Sequence, residues 1–330
     1  MGLPPAPRRG DLEVSDRPDA APVPLARPLE PGNGRVIAVW GPKGAPGRTT
    51  VALNLAFEAA PLAGETLLVD ADTYGGSIAQ ALGFIEDYPG LAWAARLANR
   101  GDLDVPKLWQ AARRAAPGGP RVLTGLPRAE LWTEVRPATW EHLLGLFREA
   151  FELTVLDVGF CLEEDEELLY DQVRFRRNAV ARIAIEQADL VVAVARADPI
   201  GLHDFIRGWQ TMQELGIGPE RVRLVVNQVR GGLFGGDTPD QIRSALSRYL
   251  GLKPMAFVPY DRPGMDAALL AARALAEARP ASPAREAISD LAHTLLGVPA
   301  APARGGRLRK PLLPRVGRIG RGPASAWQEA

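Results

Sequence analysis

Gly41-Pro-Lys-Gly-Ala-Pro-Gly-Arg-Thr-Thr50 decides how the rest of the chain is read. It follows a short apolar run, Arg35–Trp40 (RVIAVW), that reads as a strand, and it opens a segment, Arg48–Ala60, that reads as a helix. A glycine-rich turn between a strand and a helix is the setting of a phosphate-binding loop. Gly44 and Gly47 allow backbone N–H groups to turn inward around an anion, and the helix N-terminus adds its dipole at the same point. Thr49 is spaced to put a hydroxyl on Mg²⁺. The candidate cofactor-binding residues here are Gly44, Ala45, Pro46, Gly47, Arg48, Thr49 and Thr50. Taken by itself the stretch also fits a plain Gly/Pro turn without a ligand. The order of the motifs that follow argues for the loop.

Two more apolar runs end in acids. Thr66–Val69 (TLLV) runs into Asp70-Ala-Asp72, and Leu153–Leu156 (LTVL) runs into Asp157-Val-Gly159. Two acids at i and i+2 on a strand end can face one site across a turn, although Asp is also common at plain strand-to-loop boundaries. Thr49, Asp70 and Asp157 are the candidate metal residues. Further strands are expected at Arg121–Thr124, Leu190–Ala195, Val222–Val226 and Met255–Val258. Helices are expected at Pro137–Glu152, Gly201–Leu215, Thr238–Leu250, Met265–Ala278 and Ser282–Leu296. Strands alternating with helices argue for a parallel α/β sheet, and continuous apolar runs fit strands buried on both faces. The expected fold is a three-layer α/β domain, a mostly parallel central sheet flanked by helices.

The chain has 330 residues, 46% hydrophobic and 24% charged, which excludes wholesale disorder. Its net charge of zero hides an asymmetry: residues 301–330 carry seven Arg/Lys and one acid, so residues 1–300 carry a net −6. The body is not a nucleic-acid glove by charge, whereas the tail offers a basic contact. Residues 1–34 hold eight prolines and read as a disordered arm, residues 35–298 as the folded domain, and residues 299–330 as a basic disordered tail. One cysteine, Cys161, excludes an intramolecular disulfide and a Cys-based zinc or iron–sulfur site within one chain, and is expected as a small buried hydrophobe. No run approaches the roughly 18 apolar residues of a membrane span, so a cytoplasmic protein is expected.

In this order the motifs resemble the deviant Walker A loop (xKGGxGK(T/S)) and the downstream signatures of the MinD/ParA family of P-loop NTPases (SIMIBI type), over roughly residues 35–298. The resemblance is nearest to the CpaE/TadZ-like branch associated with septum-site regulation and with pilus or secretion-machine positioning, except that the receiver-like domain usual there is missing ahead of the loop. It implies ATP and Mg²⁺ as cofactors. It implies that Lys43, matching the signature lysine, reaches a nucleotide across an ATP-dependent homodimer, and that Asp72 orients the attacking water. Asp157 matches Walker B, which implies that it holds Mg²⁺ through water, and Gly159 matches the switch glycine. Asn227 and the Pro259 and Asp261 of Val258-Pro-Tyr-Asp261 match residues beside the adenine.

Two positions depart from the pattern. Ala45 replaces the second glycine, and Arg48 replaces the ordinary P-loop lysine; an arginine keeps the charge but brings a larger, planar fork. The implied function is a slowly hydrolysing switch that positions or regulates a division, pilus/secretion or partition machinery through a protein partner. A non-hydrolysing nucleotide-binding scaffold and a DNA-partition ATPase stay open. The acidic run 163–167, followed by Arg174, Arg176 and Arg177, is either a solvated helix start or the family's second switch. The tail 304–321 is either a solubilising segment or a peripheral contact with DNA or with the inner face of the membrane, where each basic residue contributes up to roughly 1 kcal/mol. A nitrogenase-type reductase is excluded by the single cysteine, and a tyrosine kinase by the absence of tyrosine after residue 261.

Overall fold

The computed structural model describes residues 33–84, 90–164, 176–232 and 238–299. The acids 165–167, Arg174, the arm to residue 32 and the tail from residue 300, Trp327 included, lie outside the described residues.

Eight strands form one sheet: β1 (Arg35–Trp40), β2 (Thr66–Ala71), β3 (Arg113–Arg114), β4 (Arg121–Leu123), β5 (Leu153–Val158), β6 (Leu190–Arg196), β7 (Val222–Val229) and β8 (Ala256–Pro259). Their spatial order is β3-β4-β2-β5-β1-β6-β7-β8, and every pairing is parallel except β3 with β4. β1 lies between β5 and β6, so the loop after β1 emerges with the carboxyl ends of both beside it.

Strand side chains alternate between two cores, as the two-residue period requires. Val36, Ala38 and Trp40 of β1 face one core, and Ile37 and Val39 face the other. Helices cover both faces: α1 (Arg48–Ala63), α2 (Ile78–Ala81), α3 (Leu91–Asn99), α4 (Val105–Ala111), α5 (Pro137–Ala150), α6 (Ala179–Gln187), α7 (Pro199–Glu214), α8 (Thr238–Leu250), α9 (Arg262–Ala271), α10 (Leu275–Ala278) and α11 (Pro283–Leu296). α5, α6 and α7 contribute to the first core and α1 and α11 to the second, which makes three layers.

α1 is buried almost all round, polar residues included. Asn54 accepts from the Leu275 N–H at 2.8 Å and donates to the Thr50 carbonyl at 2.8 Å. Glu58 takes a two-pronged bond from Arg285 of α11 at 2.6 and 2.8 Å. Those polar anchors satisfy the groups that α1 buries and fix where its first turn stands.

Several expectations need correction. The helix expected over Met265–Ala278 is two helices, because Ala272 adopts a left-handed conformation (φ 51°) between α9 and α10. Short helices α2, α3, α4 and α6 fill stretches with no assigned element, and the two-residue β3 adds an antiparallel edge. Cys161 is half-buried with a free thiol instead of packed in the core. Trp40, Trp140 and Trp209 are core residues.

Candidate phosphate-binding site

The stretch 41–50 closes over the carboxyl end of β1 with three left-handed residues: Gly44 (φ 88°), Ala45 (φ 53°) and Gly47 (φ 94°). Such turns aim successive amides toward one side. An alanine held there costs about 1 to 2 kcal/mol that a glycine would not. Gly47 has a second reason to be glycine, since a Cβ would overlap the Asn227 side-chain amide. α1 begins at Gly47 without a side-chain cap and without an acid in its first turn. Its first amides are thus left for an external acceptor. By contrast Asp198, Asp261 and Ser282 cap α7, α9 and α11 with their own oxygens.

The loop's carbonyls are occupied from outside. Arg48 donates to the carbonyls of Gly41 (3.1 Å) and Pro42 (3.0 Å). Arg196, at the end of β6, donates to Gly44 O at 2.8 Å. Gln228 Nε2 donates to Ala45 O at 3.3 Å, and Asn227 Nδ2 to Pro46 O at 2.8 Å. Asn227 is buried, and one of its two amide N–H donors is spent on the loop. Arg196 and Gln228 escaped the sequence reading because they lie 152 and 183 residues from the carbonyls they meet.

On the other side of β1 stand the acids. Asp70 and Asp157 are register partners on β2 and β5, both buried. Asp70 accepts from the Ile78 N–H at 3.1 Å, with Gly76 and Gly125 packed so closely that a Cβ on either would strike its carboxylate. Burial, with the charge of Asp72 adding to it, pushes the Asp70 carboxyl up to about 7. Burial and the neighbouring Asp70 push Asp157 well above the usual carboxylate range. Arg48 and the Thr49 hydroxyl pull it back only in part, and neither Asp157 oxygen closes a hydrogen bond of normal geometry. A buried carboxylate without a donor is costly unless a cation meets it. Asp157 beside Thr49 is therefore a donor set that fits a hard divalent ion; Mg²⁺ keeps several waters and takes only one or two protein ligands. Among the described residues, no cluster of three or more His, Cys, Asp or Glu side chains is arranged to hold a metal by itself.

Asp72 sits between the two sides. Its Oδ2 lies 3.6 Å from Arg48, its Oδ1 accepts from the Tyr74 N–H at 2.9 Å, and Gly159 passes close by. The turn that it anchors is clasped to the chain before α6. Arg177 donates to Thr73 O at 2.7 Å and lies 3.9 Å over the Tyr74 ring, and Tyr74 Oη donates to Asn178 at 2.7 Å. Lys43 is exposed on the rim, without an ion pair among the described residues. Pro259 closes β8, and Asp261 caps α9 at Gly264 N (3.0 Å) while accepting from Ser282 Oγ. Thr50, in the first turn of α1, has its carbonyl bonded by Asn54.

The strand order defines a mostly parallel α/β sheet with a loop of left-handed residues at the carboxyl end of its central strand. No family model and no curated relative matches the chain. Solved structures do. The chain is similar to a ParA family ATPase from Chlorobium tepidum (TM-score 0.65, 19% identity, covering 78% of this chain and 98% of that one). It is also similar to the septum site-determining protein MinD, complexed with Mg-ADP, from Pyrococcus horikoshii (TM-score 0.61, 18% identity, 79% and 95%). The McdA(D38A)–ATP complex of Cyanothece gives a TM-score of 0.58 at 14% identity, covering 82% and 99%. At these identities the likeness establishes the fold, which is that of the ParA/MinD ATPases. No helix among the described residues is long and apolar enough to cross a membrane.

Proposed function

We propose that this chain is a MinD/ParA-type ATP-binding switch whose nucleotide state governs homodimerisation, and which positions or regulates a division, pilus/secretion or partition machinery through a protein partner. The observation that carries the reading is the Asp157 carboxylate, buried beneath a left-handed loop with no hydrogen bond of normal geometry to either oxygen. ATP and Mg²⁺ satisfy both halves at once. Gly44–Thr50 would cradle the phosphates, and Thr49 and Asp157 would hold the ion, with Asp70 buttressing the acid side. Mg²⁺ neutralises charge on the transferring phosphoryl group when bound. The chain's own residues then position: Asp72 is placed to orient a water, and exposed Lys43 is free to reach the partner's site. The solved neighbours include MinD with Mg-ADP and a MinC:MinD complex from Aquifex aeolicus, which supports a partner-binding reading. The basic tail 304–321 is the candidate contact for lipid or DNA.

A second reading rests on Arg48. Its guanidinium is engaged by two loop carbonyls and by Asp72, which favours a scaffold that binds nucleotide and does not turn it over. Light scattering in MgATP and in MgADP, on wild type and Lys43→Ala, tests the switch. A monomer in MgADP that becomes a dimer in MgATP only when Lys43 is present supports it. An unchanged mass in both nucleotides, with binding intact, supports the scaffold. No affinity for MgATP below millimolar overturns both.

A further inference from the structure

Three consecutive carbonyls of the phosphate loop, those of Gly44, Ala45 and Pro46, each accept from a side chain on the carboxyl ends of β6 and β7. Arg196 pairs with Asn227 in the β6–β7 register, and Gln228 follows at once. Two neighbours on a regular strand point to opposite faces. Here the β7–β8 register shifts between Val226 and Val229, and Gln228 takes a left-handed conformation (φ 59°). That bulge turns both amide side chains onto the loop. Arg196 is fixed in its turn. It is ion-paired to Asp198, whose carboxylate also caps α7 at the Gly201 N–H (2.8 Å), and Gly201 lacks the Cβ that would strike the Arg196 side chain.

Ala45 (φ 53°) and Gln228 (φ 59°) are two of the three left-handed non-glycine residues among the described positions, and they are hydrogen-bonded to each other. Paired strain of this kind persists where the surroundings over-determine it, and it gathers at functional sites.

We propose that Arg196, Asn227 and Gln228 are positioning residues of the phosphate loop: they hold its carbonyls outward so that its amides face the phosphates, and Gln228 keeps Ala45 in the conformation that a glycine there would adopt unaided. The proposal rests on the nucleotide-binding reading above and adds the device that compensates for the missing glycine. It assigns Arg196 and Gln228 a role in the site, and it gives one Asn227 N–H to the loop.

The test measures MgADP affinity by calorimetry, thermal melting, and amide hydrogen exchange at residues 44–47 without nucleotide. The variants are Arg196→Ala, Arg196→Lys, Gln228→Ala, and Gln228→Ala combined with Ala45→Gly. Positioning predicts about tenfold weaker MgADP binding and about tenfold faster loop exchange for Arg196→Ala and Gln228→Ala, with melting nearly unchanged in the half-buried Gln228 variant. Arg196→Lys recovers part of the affinity, and Ala45→Gly recovers most of what Gln228→Ala loses. Unaltered affinity and loop exchange in the Gln228→Ala variant, with wild type binding MgADP, overturn the proposal and leave the nucleotide reading standing. Wild type that binds neither MgADP nor MgATP overturns that reading, and the positioning role falls with it.

Discussion

The two sides of β1 are finished differently. Toward β6 and β7 every polar contact to the loop closes within the protein: Arg196, Asn227 and Gln228 each meet a carbonyl. Toward β5 and β2 the protein stops short, with two buried acids in register and neither oxygen of Asp157 in a hydrogen bond of normal geometry. One side is scaffolding complete in itself. The other is chemically unfinished, and what it lacks is a partner for a buried carboxylate. A buried group that folding leaves unsatisfied marks where a ligand contributes more surely than a satisfied one does.

Four outcomes test that asymmetry. The largest is a pH effect. The Asp70 carboxyl sits at about 7, against 3.8 in its ordinary state. Because its pKa is raised in the folded protein, its stabilising contribution is full below about pH 4 and is lost as pH rises toward 7. The span is on the order of a few kcal/mol, shared with the neighbouring Asp157, whose carboxyl is raised as well. The metal-free protein should therefore melt lower at pH 8 than at pH 5, and Asp70→Asn should flatten most of that slope; a slope of the opposite sign would refute the assignment. Next, Asp157→Asn should weaken MgADP about 100-fold, roughly 3 kcal/mol by calorimetry, while raising the melting temperature of the metal-free protein. Equal Mg²⁺ dependence in the variant would remove Asp157 from the ion site.

On the completed side, Gly47→Ala should cost roughly 2 kcal/mol in denaturant titration, since it combines a left-handed alanine with a clash at Asn227. Ala45→Gly is the smallest effect, within roughly 0.5 kcal/mol, because relieved strain is offset by a looser unfolded chain. A large loss there would mean that the Ala45 methyl group itself packs usefully.

The strand ends and the parallel character of the sheet were legible because each rests on a local signal. Apolar runs ending in Asp70, Asp157 and Asn227 mark the carboxyl ends of β2, β5 and β7, and the glycines flank the turn before α1. The break between α9 and α10 was not legible, since an alanine at residue 272 gives no glycine or proline signal. Helices α2 and α10 have four residues each, too short for a period to show. The loop's outer supports were invisible for a different reason. Arg196 and Gln228 look like ordinary strand-end residues until the sheet order brings β6 beside β1 and β7 next after it.

Both margins of the sheet are blunted. One is the two-residue Arg113–Arg114, antiparallel and charged, and the other is a four-residue strand that ends in Pro259. Short, charged or proline-ended borders discourage a stranger's strand from joining the ladder. Copies of this chain are thereby discouraged from associating by extending one continuous sheet, and any reversible assembly is left to loops and helix faces. Such contacts can be made and dissolved without unravelling the backbone ladder.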